Sequence, residues 1–395
     1  MKKIGVIGGG IIGLATALKI QNKFPHSKVF VFDKESKLGE HQSGRNSGVL
    51  HCGLYYEPGS LKAKLAVSGI QQMTKFCNEH KISHDICGKI VVASNFIEEK
   101  YLDNLALRGK KNGLKNLKFL TNSDLNTREP NVNAIKSLLV PEEGIVDYKM
   151  VMHTMAKIIK KKNGEIILST KINKCRNLNN KVIISDSKNE WEFDLIFSCA
   201  GLYSDRNYKN LTGEKPLLKI IPFRGEYLML KPEAKKLFNH LIYPVPDPIY
   251  PFLGVHFTRL INGEKEVGPN AVFAFKREGY TNTSISIKDT IDSITYRGFL
   301  KFAINNFSFS LNELGSSLFK SIFIKKAQKL IPEINNSMFV KGTAGVRAQA
   351  MNSQGKLLMD FKVIKYENQI HILNAPSPGA TASLAIADYI VNNYS

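Results

Sequence analysis

Residues 3–34 read KIGVIGGGIIGLATALKIQNKFPHSKVFVFDK, and this stretch decides the fold of the chain. The apolar run 3–8 predicts a short buried strand, the apolar spacing from Ile11 to about Lys23 predicts a helix, and 28–33 predicts a second strand. A strand, a helix and a strand in this order form a βαβ unit, from which parallel sheets are built. Two lysines before an apolar run imitate a secretory signal. The clustered glycines and the strand that follows predict instead that the segment stays in the folded protein.

Three glycines in the turn between the first strand and the helix, Gly8, Gly10 and Gly13, spell G-x-G-x-x-G. In this pattern the first glycine permits a tight turn, the second lets the backbone approach a pyrophosphate, and the third lets the helix pack close to the strand. The helix N-terminus adds N–H donors and a partial positive charge. Asp33 ends the second strand, where its carboxylate can accept hydrogen bonds from ribose hydroxyls. Together these residues predict a dinucleotide site, although glycine-rich turns alone also occur without ligands.

The glycine motif does not by itself distinguish NAD from FAD. The sequence has no second copy downstream that would serve a separate nicotinamide domain. Residues 197–201, FSCAG, predict a strand that ends in a small-residue turn over the same nucleotide. Residues 374–390, NAPSPGATASLAIADYI, predict a helix beginning at Gly379, whose N–H groups would face the O2/N1 edge of a flavin. An ordinary capped C-terminal helix is the alternative for that segment.

The composition is typical of a soluble globular protein, with 43% hydrophobic and 23% charged residues. A chain of 395 residues exceeds the usual limit for one hydrophobic core, so two domains are expected. The net charge of +21 is compatible with a nucleic acid, an anionic membrane or an anionic small ligand. Because the lysines are spread along the whole chain, nucleic acid is the least favoured of the three. Five cysteines without a C-x-x-C pair predict reduced thiols in the cytoplasm and no metal site.

The remaining elements show no internal repeat, low-complexity tract or linker, so the two domains are predicted to be interleaved. The patterns predict helices over 60–80 (with Ser60 as N-cap), 97–111, 146–162 and 379–392, strands over 89–94, 165–169, 181–185 and 193–201, a β-rich region over 217–295 with an ordered loop at 243–251, and one or two helices over 297–330.

Seven segments carry a family resemblance over nearly the whole chain: GGGIIGLATA, HQSGRNSGVLHCGLYYEPGSLKAKL, PFRGEYLML, PFLGVHFTR, VGPNAVFAFKREGY, AGVRAQ and NAPSPGATASLAIA. On these segments the chain resembles the FAD-dependent D-amino-acid oxidase superfamily and, more narrowly, its L-2-hydroxyglutarate oxidase/dehydrogenase branch. The second and fifth segments are the specific ones, because many flavoproteins share the glycine fingerprint. Arg45 departs from the family, whose members tend to have histidine or another residue there.

The resemblance implies an α/β (α+β) fold, in which a Rossmann-like, split FAD-binding domain is interleaved with an antiparallel-sheet substrate domain. The expected ranges are 1–85, 145–225 and 340–395 for the first and 86–144 and 226–339 for the second. The implied reaction is oxidation of L-2-hydroxyglutarate to 2-oxoglutarate, with hydride transfer to flavin N5 and reoxidation by a quinone or O2. A glycerol-3-phosphate or amine oxidase of the same superfamily is one alternative. A non-catalytic nucleotide- or lipid-binding protein is another.

A cofactor set follows from the motifs and the resemblance. Covalent attachment through Cys52, His41 or His51 is disfavoured, because a lone cysteine in a turn is more often a small buried residue. The residues expected at a non-covalent FAD are Gly8, Gly10, Ile12, Gly13, Asp33, Lys34, Ser43, Arg45, Asn46, Ser47, Gly48, Cys199, Ala200, Gly201, Arg347, Pro378, Gly379, Ala380 and Thr381.

Oxidation of a 2-hydroxy acid requires a base and cationic anchors for the carboxylates. His51 is the first candidate base and His256 the second, each with a structural histidine as the alternative. Arg347 is expected at the α-carboxylate. The distal carboxylate is assigned to Arg259, Lys276 or Arg277, with hydroxyl groups from Tyr55, Tyr227 and Tyr243. A solvated surface cation is the alternative for each of the basic residues.

Residues 297–330 interleave Phe and Leu with Lys. The ordinary interpretation is helices packed on the substrate domain of a cytoplasmic protein. The alternative is a surface that contacts anionic lipid on the inner face of the cytoplasmic membrane and passes electrons to a quinone.

Overall fold

The computed structural model describes residues 1–246, 254–307, 313, 315–317 and 319–395. Strands β1 to β21 of the described chain are Lys3–Ile7, Lys28–Phe32, Val49–Leu50, His84–Asp85, Lys89–Ala93, Lys118–Leu120, Lys136–Val140, Gly144–Val146, Glu165–Ile167, Lys174–Leu178, Lys181–Ser185, Glu190–Phe193, Leu195–Ser198, Leu218–Leu230, Leu241–Pro244, His256–Arg259, Lys265–Gly268, Val272–Phe273, Phe339–Asn352, Lys362–Tyr366 and Gln369–Asn374. Helices α1 to α8 are Ile11–Lys23, Leu61–Glu79, Phe96–Lys111, Asn122–Arg128, Tyr148–Lys161, Ser204–Thr212, Ile287–Ile294 and Arg297–Asn305, followed by Lys320–Gln328 and the C-terminal helix Ser383–Tyr394. Short 3-10 helices are Gly201–Tyr203, Pro232–Leu237 and Asn336–Met338.

The predicted βαβ unit forms the centre of a mainly parallel sheet. Within the described chain this sheet has six strands in the order β20-β21-β13-β1-β2-β9, and only the edge strand β20 is antiparallel. Val6, Val31 and Leu14 are completely buried where α1 packs on the sheet. The carboxyl ends of β1, β2 and β13 meet at one edge, which is where ligands bind in sheets of this kind.

A second, mainly antiparallel sheet confirms the predicted mixed fold class. Its nine described strands include β14 and β19, which pair from Leu218 opposite Asn352 to Leu230 opposite Phe339. These two strands extend across the predicted domain boundaries at 225/226 and 339/340, so the domain division remains a prediction. A small sheet pairs β3 with β8 and β8 with β4, and it brings residue 143 beside residue 51.

Most local predictions agree with the structure. Helix α1 has the predicted bounds, and Ser60 caps α2 by accepting a hydrogen bond from the Ala63 amide at 3.1 Å. The predicted β-rich region also contains a helix, α7, which Ser286 caps through the Asp289 amide. In the described part of the chain, no helix is long and apolar enough to cross a membrane.

The predicted start of the last helix at Gly379 is wrong. The Gly379 amide donates to Pro376 O at 2.9 Å and the Ala382 amide to Pro378 O at 2.9 Å, so 377–382 form turns and the helix begins at Ser383. The predicted loop 243–251 lies mostly outside the described residues, and the predicted helices over 297–330 are described only in part.

Candidate active site

The glycine-rich turn is packed so closely that side chains would not fit. Gly8 has φ +109°, and a Cβ there would lie 2.4 Å from Cys199 O. A Cβ on Gly13 would lie 1.9 Å from Gly8 O, because α1 begins directly against the turn. At Gly10 a Cβ would be 3.0 Å from Ser43 Oγ, and Ser43 Oγ accepts a hydrogen bond from the Ile11 amide at 3.0 Å. The bare backbone at these positions is the cradle that a pyrophosphate requires.

Asp33 lies at the end of β2 beside this turn. Its carboxylate accepts hydrogen bonds from the Gly9 amide at 2.6 Å and the Glu35 amide at 2.9 Å. Burial raises the pKa of Asp33, and these two backbone donors act in the opposite direction. The carboxylate is therefore fixed at the end of the strand, where the motif requires a ribose acceptor.

A half-buried ion cluster follows Asp33. The Lys34 ammonium contacts Glu35 and lies 2.8 Å from Glu278, while His41 Nε2 lies 3.0 Å from Glu35 and 2.9 Å from Glu278. Glu35, His41 and Glu278 offer ligand atoms within 4.8 Å of one another, which the sequence did not indicate. Because both carboxylates already contact the Lys34 ammonium and His41 Nε2, the cluster is best explained as an ionic link between β2 and the segment that contains Glu278.

A cavity of about 1300 Å³ extends from the glycine-rich turn to the antiparallel sheet. The sequence-predicted residues that line it are Gly8, Gly10, Ile12, Gly13, Asp33, Lys34, Ser43, Arg45, Asn46, Ser47, His51, Tyr55, Cys199, Ala200, Gly201, Tyr227, Tyr243, His256, Arg347, Pro378, Gly379, Ala380 and Thr381. One lining thus joins a glycine cradle, a ribose acceptor and the candidate bases, and it fits FAD by its volume and its backbone donors.

Four predicted residues lie outside this lining. Gly48 (φ +69°) shapes the turn, since a Cβ would lie 2.7 Å from Val146 O. Arg259 pairs with Asp85 at 3.1 Å, and Lys276 is exposed. Arg277 is completely buried, and it donates to Asp205 at 2.8 Å and to Leu202 O at 2.7 Å. The three cations predicted for the distal carboxylate are thus directed elsewhere, because strand alternation alone does not tell which face borders the cavity.

A buried ion pair that the local sequence does not indicate lies beside His51. Glu143 and Lys89 are both completely buried, and Lys89 Nζ lies 2.6 Å from Glu143 Oε2. The same carboxylate oxygen is 3.3 Å from His51 Nδ1. Burial alone would raise the pKa of Glu143, but the charges and hydrogen bonds of Lys89 and His51 together lower it to about 2. Glu143 is therefore a carboxylate that can only accept hydrogen bonds.

The carboxylate fixes the tautomer of His51. Since Glu143 only accepts, His51 Nδ1 carries the proton and donates it, and Nε2 keeps the lone pair. The backbone is held as well, because the His51 amide donates to Thr381 Oγ1 at 3.2 Å. Thr381 is in turn bonded to the Tyr148 hydroxyl at 2.7 Å. Among the residues that the structure describes, Nε2 of the imidazole has no partner and is available for proton transfer in the cavity.

His256 has a different environment. Its ring stacks on Tyr243 with centroids 3.9 Å apart, and its Nδ1 donates to Gly254 O at 2.8 Å. Burial, with smaller contributions from nearby cations such as Arg347, lowers the pKa of His256 to about 3. A histidine with so low a pKa stays neutral and accepts hydrogen bonds, but it is a weak proton acceptor.

Cys52 and Tyr55 lie next to the Glu143–Lys89 ion pair. Cys52 is completely buried, lies outside the cavity lining, and donates its thiol proton to Glu143 at 3.3 Å. The Tyr55 hydroxyl is buried without a hydrogen-bond partner in the part of the chain that the structure describes. Its ring lies over the Lys89 ammonium at 4.3 Å. Cys52 therefore has a structural partner, whereas Tyr55 presents an unsatisfied hydroxyl to a ligand.

Comparisons with known proteins show the family of the chain. The DAO family model, described as FAD dependent oxidoreductase, matches residues 3–393. The chain is 45% identical over 381 residues to L-2-hydroxyglutarate dehydrogenase of Indibacter alkaliphilus, covering 96% of each protein. It is 42% identical to the protein of that name from Escherichia coli K12, covering 98% of this chain and 92% of the relative. FAD-bound L-alpha-glycerophosphate oxidase from Mycoplasma pneumoniae superposes with a TM-score of 0.79 at 20% identity, covering 100% and 96% of the two chains.

The cavity has the volume and the backbone donors that FAD needs, and the chain belongs to the DAO family of FAD-dependent oxidoreductases.

Proposed function

We propose that this protein oxidises L-2-hydroxyglutarate to 2-oxoglutarate with non-covalently bound FAD. The observation that carries the proposal is the hydrogen bond from His51 to the buried Glu143 carboxylate, in the same cavity as the FAD cradle and Arg347. Two relatives at 42–45% identity bear the name of this dehydrogenase. The glycerophosphate oxidase shares only 20% identity and supports the fold alone.

Different side chains of the cavity bind the substrate carboxylate, accept the hydroxyl proton and position the substrate. Arg347 holds the α-carboxylate, because a guanidinium fork matches two carboxylate oxygens. His51 Nε2 takes the hydroxyl proton, and the resulting imidazolium is stabilised by the Glu143 carboxylate. FAD, when bound, supplies the acceptor for the Cα hydrogen and its electron pair. His256 and Tyr55 offer a neutral acceptor and a hydroxyl that can position the substrate.

Anaerobic mixing of the purified holoprotein with L-2-hydroxyglutarate is expected to bleach the flavin absorption near 450 nm, a band characteristic of the oxidised cofactor. Glycerol 3-phosphate, glycine and the D-isomer serve as controls and should leave the band unchanged over the same time. Bleaching by glycerol 3-phosphate alone would favour the alternative oxidase function. A purified protein without flavin bands would refute both.

We further propose that the surface formed by α7 and α8 contacts an anionic membrane, where a quinone rather than O2 reoxidises the flavin. Ile287, Ile291 and Ile294 are exposed and lie at i, i+4 and i+7 on one face of α7. Leu300 and Ile304 are exposed on the adjacent α8. The neighbouring Lys288 and Arg297 are exposed cations, which complement anionic headgroups.

Vesicle sedimentation tests this surface. The protein is expected to sediment with phosphatidylglycerol vesicles and to stay in solution with phosphatidylcholine vesicles. Changing Ile287, Ile291 and Ile304 to serine removes apolar area worth about 1.5–3 kcal/mol per fully buried side chain, so partitioning should fall roughly 10-fold or more. Ile97→Ser, at an exposed isoleucine on α3, is the matched control and should not change partitioning. Equal partitioning of the triple variant and the unaltered protein would contradict the proposal.

A further inference from the structure

Lys62 lies in the first turn of α2, two residues after the Ser60 N-cap. The residue is only 8% exposed, yet its side chain lines the same cavity as His51 and Arg347. Its neighbour Lys64, on the same helix, is exposed to solvent. The local sequence does not distinguish these two lysines, but in the structure Lys62 lines the cavity and Lys64 does not.

Within the described part of the chain, the Lys62 ammonium is not paired with a carboxylate. Among the residues that the structure describes, no hydrogen bond or ion pair is formed with it, and its contact is with the ring of Tyr56, 4.6 Å from the centroid. Burial lowers the pKa of Lys62 to about 8, and the more distant charge of Asp360 only partly opposes this. A cation in the first turn of a helix also faces the positive end of the helix dipole. Burial, position and lack of a partner all disfavour this charge, and an anionic ligand would offset each of them.

Helix α2 is held against the reacting end of the cavity. A Cβ on Gly69 would lie 2.5 Å from Ala382 Cα, so the helix packs directly on the turn whose Thr381 hydroxyl accepts the His51 amide. The chain that enters α2 carries Tyr55, whose ring lies over Lys89, and then Tyr56, whose ring lies against Lys62. Lys62 and the His51–Glu143–Lys89 group are therefore connected through two adjacent tyrosines.

Another cation of the lining already has partners. Arg108, on α3, donates to Tyr55 O at 3.1 Å and pairs with Glu57 at 3.4 Å. The predicted anchors Arg259 and Arg277 are paired with Asp85 and Asp205 outside the lining. The distal carboxylate of a five-carbon dicarboxylate needs a cation in the cavity that is not engaged, and Lys62 meets this condition.

We propose that Lys62 binds the distal carboxylate of the substrate and so sets the preference for a 2-hydroxy dicarboxylate over a 2-hydroxy monocarboxylate. The inference rests on the proposed function and adds to it the residue that selects the substrate class. Arg347 and Lys62 then hold the two carboxylates, and His51 faces the hydroxyl group between them.

Flavin-reduction titrations with two substrates test this assignment. L-2-hydroxypentanoate has the same carbon chain as L-2-hydroxyglutarate but ends in a methyl group. Lys62→Met should raise the apparent Kd for L-2-hydroxyglutarate by roughly 10- to 100-fold, the range for loss of a hydrogen bond to a charged group. The apparent Kd for L-2-hydroxypentanoate should change less than about 3-fold, because that substrate has no charge to pair with Lys62. Lys62→Arg should retain most of the affinity for the dicarboxylate.

The controls separate the possible outcomes. Lys64→Met, at an exposed lysine two residues further along the helix, should match the unaltered protein with both substrates. Retained flavin absorption shows that the Lys62→Met protein is folded, and Lys62→Gln, which also removes the charge, replaces it in the same titrations if it is not. An equal loss of affinity for both substrates, or no loss for either, would overturn the proposal. If the unaltered protein is not reduced by L-2-hydroxyglutarate at all, the proposed function fails instead.

Discussion

Replacement of His51 by alanine is expected to slow anaerobic flavin reduction by L-2-hydroxyglutarate by roughly 100-fold or more, the usual contribution of a positioned general base. The expectation rests on the Nδ1 contact of 3.3 Å with Glu143, which leaves Nε2 as the proton acceptor. FAD should remain bound, because the glycine cradle and Asp33 are unaffected. Stopped-flow absorbance at saturating substrate measures the rate, and the flavin spectrum before mixing measures the cofactor content.

His256 provides the comparison for this experiment. With a pKa of about 3 and its Nδ1 bonded to Gly254 O, His256 is expected to affect substrate affinity more than the limiting rate. His256→Asn should therefore raise the apparent Kd and lower the limiting rate less than His51→Ala does. An unchanged rate in His51→Ala, together with a large loss in His256→Asn, would assign the base to His256.

Replacement of Lys89 by methionine is expected to cause the largest loss of stability, about 3–5 kcal/mol, because it leaves the Glu143 carboxylate buried without its cation. Lys89→Met/Glu143→Gln removes both charges and should recover part of this loss. Lys64→Met, at an exposed lysine, is the control and should stay within about 0.5 kcal/mol of the unaltered protein. Urea unfolding monitored by circular dichroism measures each free energy.

The pH dependence provides a second measurement on the same ion pair. In the unaltered protein the pKa of Glu143 is depressed from 4.5 to about 2, so its contribution to stability is present above about pH 4.5 and is lost as the pH falls towards 2. Without Lys89 the buried carboxyl should take up a proton more readily, and the loss of stability should be smaller in mild acid than at neutral pH. A stability difference between the two proteins that does not depend on pH would contradict this account.

Local sequence patterns were sufficient to predict the elements whose conformation depends on residues close together in the chain. The bounds of α1, the cap at Ser60 and the glycine turn follow from apolar spacing, side-chain hydrogen bonding and backbone sterics within a few residues. Glu143 was missed because its contacts with Lys89 and His51 join positions 54 and 92 residues apart. These contacts form only when β3, β5 and β8 are assembled in their sheets. A lone charged residue beside an apolar strand is therefore a weak indication of them.

Which basic residues line the cavity could not be predicted from the local sequence either. Arg259 and Lys276 were chosen because they lie in family segments, yet the structure directs both away from the cavity. Lys62 cannot be identified as a site residue from the sequence, because nothing in the local pattern distinguishes it from Lys64. Which of two lysines becomes buried depends on how α2 packs against the turn at Thr381 and Ala382.

The pairing of β14 with β19 has a mechanical consequence. Arg347 lies within this ladder, opposite Phe223, and Tyr227 lies on the other strand of the pair. Backbone hydrogen bonds along the ladder hold Arg347 in place relative to the rest of this sheet, and its position does not depend on a loop. Because both strands belong to the same sheet, a motion of this sheet relative to the first one would carry Arg347 and Tyr227 together. Amide hydrogen exchange should accordingly be slow along 218–230 and 339–352 both with and without substrate.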